Sequence, residues 1–421
     1  MTTAAQEWKK HWPTLAAASV GVATGFSMLQ FNASIFIQPW QDNFGWSRGE
    51  IAAAHNGMIL TAILSPFAGT LLDRHGVRRP LLAAMTLTGL AYLAMTRLGG
   101  SLVQFYATYL ALQVIGIFTT GLAFTRVVAA RFVKSRGLAL ACTRVGISIL
   151  GIFLPATLHA LVAREGWQAG FYLLAGIVLL VGLPVCWFGI RDAERSDSTE
   201  WKPQARPAQG ESYMGLLRRE PRVLLLCLCA GFGYAPLSTL LSQFQPLLTA
   251  LDISPADAAM LTGVLAGSVL IGTLISGTLI DRIWAPAVAC LFSLGPILGC
   301  ILMLQGSLTF PMALTAAVLI GAAQGAEIDI VAYMAARYFG MRHYSAIYGS
   351  TITVMTLMAV AGQVGIGFLY DRFGNYQVAL IAVISGLVAS ILLYLLMGRY
   401  PQQVEAKPDR SARTAGGEAA A

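Results

Sequence analysis

The chain has 421 residues, of which 56% are hydrophobic and only 11% charged, with a mean hydropathy of +0.67. Soluble domains carry about 25% charged residues, so this composition excludes a soluble enzyme and requires burial in a lipid bilayer. The net charge of +8 falls in short connectors rather than on a basic face with interleaved aromatics, which excludes nucleic acid as a partner.

Met1 to Pro13 is polar, and the apolar run behind it is longer than the core of a cleavable signal peptide. That run reads as a first transmembrane helix. A spanning helix needs about 20 apolar residues, and twelve such segments follow one another at 14–38, 50–72, 80–98, 102–130, 137–162, 168–190, 222–249, 257–280, 285–305, 309–336, 344–370 and 376–398. Arg191 to Pro221 is a polar linker, with seven basic residues counted through Arg222. The expected fold is therefore an all-α membrane protein. Its twelve transmembrane helices form two pseudo-symmetric six-helix bundles, residues 1–190 and 222–400, joined by the cytoplasmic linker 191–221 and followed by a disordered cytoplasmic tail, 401–421. With the N-terminus inside, the inner segments hold 22 Lys and Arg and the outer connectors only Arg48, Arg97, Arg164 and Arg372. The positive-inside rule then puts both termini in the cytoplasm and the protein in the cytoplasmic membrane. The six cysteines are scattered through apolar segments and read as buried thiols, so no metal and no cofactor is expected.

The two halves repeat. Gly69-Thr70-Leu71-Leu72-Asp73-Arg74 and Gly277-Thr278-Leu279-Ile280-Asp281-Arg282 lie 208 positions apart, and Arg164-x-Gly166 faces Arg372-x-Gly374 at the same offset. Ala129-Ala130-Arg131-Phe132 faces Ala335-Ala336-Arg337-Tyr338 at an offset of 206. After the sextet the copies diverge, into His75-Gly76-Val77-Arg78-Arg79 and Ile283-Trp284-Ala285-Pro286. That divergence implies a shared scaffold without a shared gate.

Gly69-x-x-x-Asp73-Arg74-x-Gly76-x-Arg78-Arg79, between the second and third helices, resembles the loop motif of the major facilitator superfamily. Together with the six-plus-six repeat, the resemblance covers the whole chain. It implies two bundles around a central cavity open alternately to each side, driven by ion or solute gradients. In agreement, no phosphate-binding loop is present: Lys134-Ser135 follows Val133 and not a glycine. A narrower resemblance, to the monocarboxylate porter and oxalate:formate antiporter branch, rests on Phe44-Gly45-Trp46-Ser47-Arg48. It also rests on Gly325-x-Glu327-x-Asp329-x-x-x-Tyr333-x-x-x-Arg337-Tyr338-Phe339-Gly340. It implies small organic anions as substrates. The chain departs from that branch in having no charge between Leu261 and Ile280.

Ionisable groups within a bilayer mark function by default. At 1.5 Å per residue, Arg144 lies ~12 Å inward from Arg136, Asp329 ~12 Å and Glu327 ~15 Å from Arg337, and Arg126 ~7.5 Å from Arg131. Glu327 and Asp329 point ~160° apart, so both cannot face one cavity squarely. The repeat maps Arg126 onto Ala332, near the face of Asp329, which favours Asp329 for the cavity and turns Glu327 toward a neighbouring helix. Arg126 and Arg144 are candidates for binding a substrate carboxylate, completed by Asn32, Gln243 and Tyr333. Asp329 and Glu327 are candidates for proton coupling. Asp73, Arg74, Arg78 and Arg131 are candidates for gating, with Asp73 either capping a helix N-terminus or pairing with a basic residue such as Arg131. His55 reads as a satisfied hydrogen-bonder.

These features predict a secondary active transporter, not an enzyme. It moves a small organic anion such as a mono- or dicarboxylate, with protons or by exchange against a counter-anion, and works as a monomer. The alternative within transport is efflux of amphipathic drug-like compounds. The alternative outside it is a sensor or receptor on a transporter fold.

Overall fold

A computed structural model describes residues 3–190, 220–306 and 308–400, and among these every regular element is helical. Lipid offers no hydrogen-bond partners, so a spanning segment must satisfy its backbone internally, and the α-helix does so. Ten stretches are long and apolar enough to cross a membrane: Arg48–His75, Leu102–Arg131, Arg136–Glu165, Trp167–Gly189, Pro221–Ala250, Pro255–Ile280, Ala285–Met303, Phe310–Phe339, Tyr344–Phe373 and Gln377–Leu396. They form the second, fourth to sixth and seventh to twelfth spans. The third span, Arg78–Met95, begins with two arginines, and the first is broken into Ala4–Thr24, Ser27–Asn32 and Ser34–Phe44. The fold is thus a twelve-helix bundle of two six-helix halves. Most of the linker expected at 191–221 and the whole tail expected at 401–421 lie outside the described residues.

Local signals set the helix ends. Ser47 and Glu50 form a capping box ahead of the second span, and Ser254 caps the eighth with Pro255 behind it. Gly166 and Gly374, the repeated pair, stop the fifth and eleventh spans with φ of 88° and 67°. That left-handed conformation is open to glycine without steric penalty.

Two features depart from the expected boundaries. The first helix starts at Ala4 rather than at 14, because Thr3 and Gln6 form a capping box and Glu7 is drawn into the protein. The Glu7 carboxylate accepts the amides of Val133 (3.3 Å), Lys134 (3.1 Å) and Ser135 (3.4 Å), tying the polar N-terminus to the connector before the fifth span. The fourth span is also not continuous. It is Leu102–Gly116, a 3₁₀ turn at Ile117–Thr119, and a restarted helix Gly121–Arg131.

The halves meet along two equivalent seams. The second span packs on the eleventh, and the fifth on the eighth. The 208-residue offset carries one pair into the other. Glycines let the backbones touch: a side chain on Gly69 would strike the Ser345 carbonyl, and one on Gly137 the Gly277 carbonyl. Both seams close at the face that bears the 75–77 and 281–284 turns, called here the basic face. No packing of comparable extent joins the first span to the seventh among the described residues.

Candidate functional site

Each seam ends in a carboxylate that caps the helix opposite. Asp73, at the end of the second span, accepts the amides of Ser345 (3.2 Å) and Ala346 (3.0 Å) at the start of the eleventh. Asp281, the equivalent residue of the second copy, accepts the amides of Gly137 (2.7 Å) and Leu138 (3.0 Å) at the start of the fifth. Unpaired amides and the positive end of the helix dipole make such a terminus a carboxylate site. Burial pushes the Asp281 carboxyl up from the ordinary carboxylate range, against the downward pull of the two amides. The halves therefore share this latch as well as their scaffold, contrary to the expectation from the flanking sequences. The divergent residues after Asp281 take no part in its two amide bonds, which need only the carboxylate and a bare helix end.

The partner of Asp73 also differs from the one expected. Arg126, not Arg131, forms its ion pair, and Arg126 donates as well to Ser345 Oγ at 3.2 Å. Arg131 instead donates to Thr14 Oγ1 on the first helix. The two arginines are five residues apart, ~140° around the helix, so they face different neighbours. Arg126 is thus held in the latch and is not brought to the other intramembrane charges. Of the remaining gating candidates, Arg74 is exposed. Arg78 donates to the Trp187 carbonyl at 3.1 Å and lies over its ring, a contact within the first bundle.

Deeper in, Arg144 of the fifth span meets Asp329 of the tenth across the bundle boundary, Nη1 to Oδ2 3.9 Å. The two residues start from the same depth, ~12 Å from their basic ends, which is why the helices bring them level. Asp329 is fully buried, and neither of its oxygens has a hydrogen-bond partner among the described residues; the same holds for Arg144 Nη1. Arg144 keeps 27% of its side chain exposed. The contact is a coulombic pair without a hydrogen bond, an arrangement whose attraction offsets desolvation poorly. Tyr234 of the seventh span and Tyr348 of the eleventh lie within electrostatic range of Arg144.

Glu327 points elsewhere. Its Oε1 accepts the Tyr394 hydroxyl at 2.7 Å, inside the second bundle, and its carboxyl fills a notch left by Gly233. Tyr394→Phe removes that donor and is expected to lower stability by about 1–3 kcal/mol. A fall in the thermal unfolding midpoint in detergent, with transport retained, is the measurement that checks it.

The neutral candidates do not converge on the pair. Tyr333 neighbours Asp281, Arg337 and Arg136 toward the basic face. Asn32 donates to its own helix at the Met28 carbonyl, 2.8 Å, and lines a small crevice against Ile147 and Leu150 of the fifth span. Gln243 is half-buried. His55 Nε2 lies 3.1 Å from the Tyr109 hydroxyl. Asp281 and Tyr348 went unread in the sequence. The signal for Asp281 was the repeated sextet itself; Tyr348 left none, because a lone tyrosine in an apolar helix has no distinguishing neighbours.

The sequence profile of the Major Facilitator Superfamily matches residues 20–363. The chain belongs to that superfamily. Its fold is similar to that of the E. coli fucose:proton symporter, with a TM-score of 0.72 and 14% identity over 91% of this chain and 98% of that one. It is similar too to a bacterial homologue of the iron transporter ferroportin in an outward-facing state (TM-score 0.68, 14% identity, 91% and 99% covered). The human organic anion transporter MFSD10 gives a TM-score of 0.67 at 15% identity, with 91% and 99% covered. No curated protein matches the chain in sequence. Membership of the superfamily makes it a multi-pass membrane transporter rather than an enzyme.

Proposed function

We propose that the chain is a proton-coupled transporter of small organic carboxylates, in which the substrate and Asp329 alternate as the anion on Arg144. The observation that carries this reading is the hydrogen-bond-free pair between half-buried Arg144 and fully buried Asp329 across the two bundles. An arginine stays charged at any accessible pH, so within the membrane it requires an anion whether substrate is bound or not. A substrate carboxylate can engage the guanidinium bidentately, which the 3.9 Å contact with Asp329 does not. Once displaced, Asp329 is a fully buried carboxylate with no counter-charge, and burial then favours its neutral form. Binding one carboxylate thus takes up one proton, and the cavity's net charge is unchanged by loading.

The same exchange couples to movement. Arg144 belongs to the first bundle and Asp329 to the second, so loading removes an attraction between them and leaves the Asp73 and Asp281 latches as the bonds to break. The Lys- and Arg-rich connectors support a cytoplasmic assignment for the basic face, and the state described is then closed to the cytoplasm. The protein would reside in the cytoplasmic membrane and work as a monomer. The likeness of the Phe44–Arg48 and Gly325–Gly340 runs to the monocarboxylate and oxalate:formate branch supports the same substrate class, as does the fold shared with an organic anion transporter. Glu327, engaged with Tyr394, has no part in this exchange.

Proton uptake on binding tests the reading. Purified protein in weakly buffered detergent, mixed with lactate, oxalate, succinate or benzoate, should take up one proton per molecule bound, read with an indicator dye. Asp329→Asn should bind without proton uptake. Equal uptake by both proteins would overturn the assignment of Asp329.

A further inference from the structure

We infer that the substrate carboxylate is held by backbone as well as by Arg144. The N-terminus of the restarted helix Gly121–Arg131, at the break in the fourth span, forms a second anion-binding pole. The inference rests on the carboxylate reading above.

Breaks in a spanning helix persist only where the freed backbone groups meet protein or line a cavity. On one side of this break the groups are accounted for. Thr119 Oγ1 receives the Phe26 amide at 3.1 Å, from the break in the first span, and donates to the Gly116 carbonyl at 3.1 Å. On the other side only the Ala123 amide is, by the Thr120 carbonyl at 3.3 Å, and the Gly121 and Leu122 amides have no acceptor among the described residues. Thr120 is extended, with φ −102° and ψ −174°, and no side chain caps the helix it precedes. Its hydroxyl is turned back to the Ile117 carbonyl at 2.9 Å. The first amides of a helix have no acceptor within it, and eleven residues of helix place about half a positive charge at this end. Gly121 is ten residues from Arg131, ~15 Å inward, at the middle of a ~30 Å hydrocarbon core.

A second observation comes from the opposite bundle. Tyr348 is 2% exposed, and its hydroxyl has no hydrogen-bond partner among the described residues. It lies 4.0 Å from where a Cβ would sit on Gly121, level with the Thr125 methyl. Arg144 and Asp329 are its electrostatic neighbours. An uncapped helix end, an unpartnered hydroxyl and a guanidinium therefore converge, all of them donors. The acceptor among them is Asp329, whose oxygens bond to none of these groups. A small carboxylate supplies the acceptors that this set lacks.

Proline substitution isolates the backbone term. Proline is favoured at the first helical position, and Thr120 already has the extended conformation required before it. Gly121→Pro should delete one N–H and leave the helix intact, while Gly121→Ala occupies similar space and keeps the N–H. Affinity for lactate, oxalate, succinate and benzoate is measured by calorimetry on the purified full-length protein. Gly121→Pro should weaken binding about tenfold or more and Tyr348→Phe about fivefold, with Gly121→Ala within about twofold of the parent. Equal affinity in the Pro and Ala variants, with binding lost in Arg144→Ala, would overturn the helix pole and leave the carboxylate reading standing. Binding of none of the four acids to the parent protein would overturn both. If Gly121→Pro is not recovered folded, Thr120→Asp decides. A carboxylate at that position caps the helix and occupies the pole, so the variant should melt higher and bind at least about tenfold more weakly. Unchanged binding in it would overturn the proposal.

Discussion

Arg144→Ala should abolish carboxylate transport, lowering the initial rate of uptake by at least about 100-fold, the loss expected when one partner of a buried charge pair is truncated. The same change leaves Asp329 fully buried beside a hole, and breaking a buried pair costs about 3–5 kcal/mol at alkaline pH, where the remaining group stays ionised, and less where it takes up a proton, so stability is compared at alkaline pH. The two effects separate in a double variant. Arg144→Ala with Asp329→Ala should regain most of the lost stability, because no charge is then stranded, while transport stays absent. Arg144→Lys should recover little, since an ammonium cannot present the planar fork a carboxylate engages. Thermal unfolding in detergent, set beside uptake into proteoliposomes, checks all three. An Arg144→Ala protein that transports normally would make the pair a brace between the bundles.

The second large effect is expected at the latches. Asp73→Ala removes the cap on the eleventh span and the carboxylate from the Arg126 ion pair, whereas Asp281→Ala removes the cap on the fifth. A helix cap is worth about 1 kcal/mol, so losing both shifts the balance between closed and open basic faces by about 2 kcal/mol, roughly 30-fold. Hydrogen exchange at the Ser345, Ala346, Gly137 and Leu138 amides reports it directly. Because each seam joins the same two rigid halves, Asp73→Ala should quicken exchange at Gly137 and Leu138 as well as at Ser345 and Ala346. Exchange confined to the mutated seam would mean that the latches open independently.

Much of this arrangement is legible in the sequence, for reasons that differ from residue to residue. Hydrophobic length gives the twelve spans because lipid permits little besides helices of that length. Depth counted from the basic ends puts Arg144 and Asp329 at one level, and helix geometry turns Glu327 away from Asp329. What escapes the sequence is chiefly what backbone does. The Asp281 latch binds two amides, and amides carry no residue identity, so the divergent Ile283–Pro286 run obscured an interaction it does not enter. The breaks at 25–26 and 117–120 are marked by Gly25, Gly116 and Gly121, and glycine is common in membrane helices without a break. The choice of Arg126 over Arg131 by Asp73 depends on which face of the fourth span meets the eleventh, and no single-helix pattern records that.

Accumulation against a gradient is the most direct test of the exchange on Arg144. Proteoliposomes with an inside-alkaline pH gradient are given a labelled carboxylate that the protein binds, and internal concentration is followed to its plateau. The parent protein should concentrate the label above the external level, and collapse of the pH gradient should release it. Asp329→Asn should bring the label only to equality, with exchange across the membrane retained. Accumulation by Asp329→Asn equal to that of the parent would contradict the account.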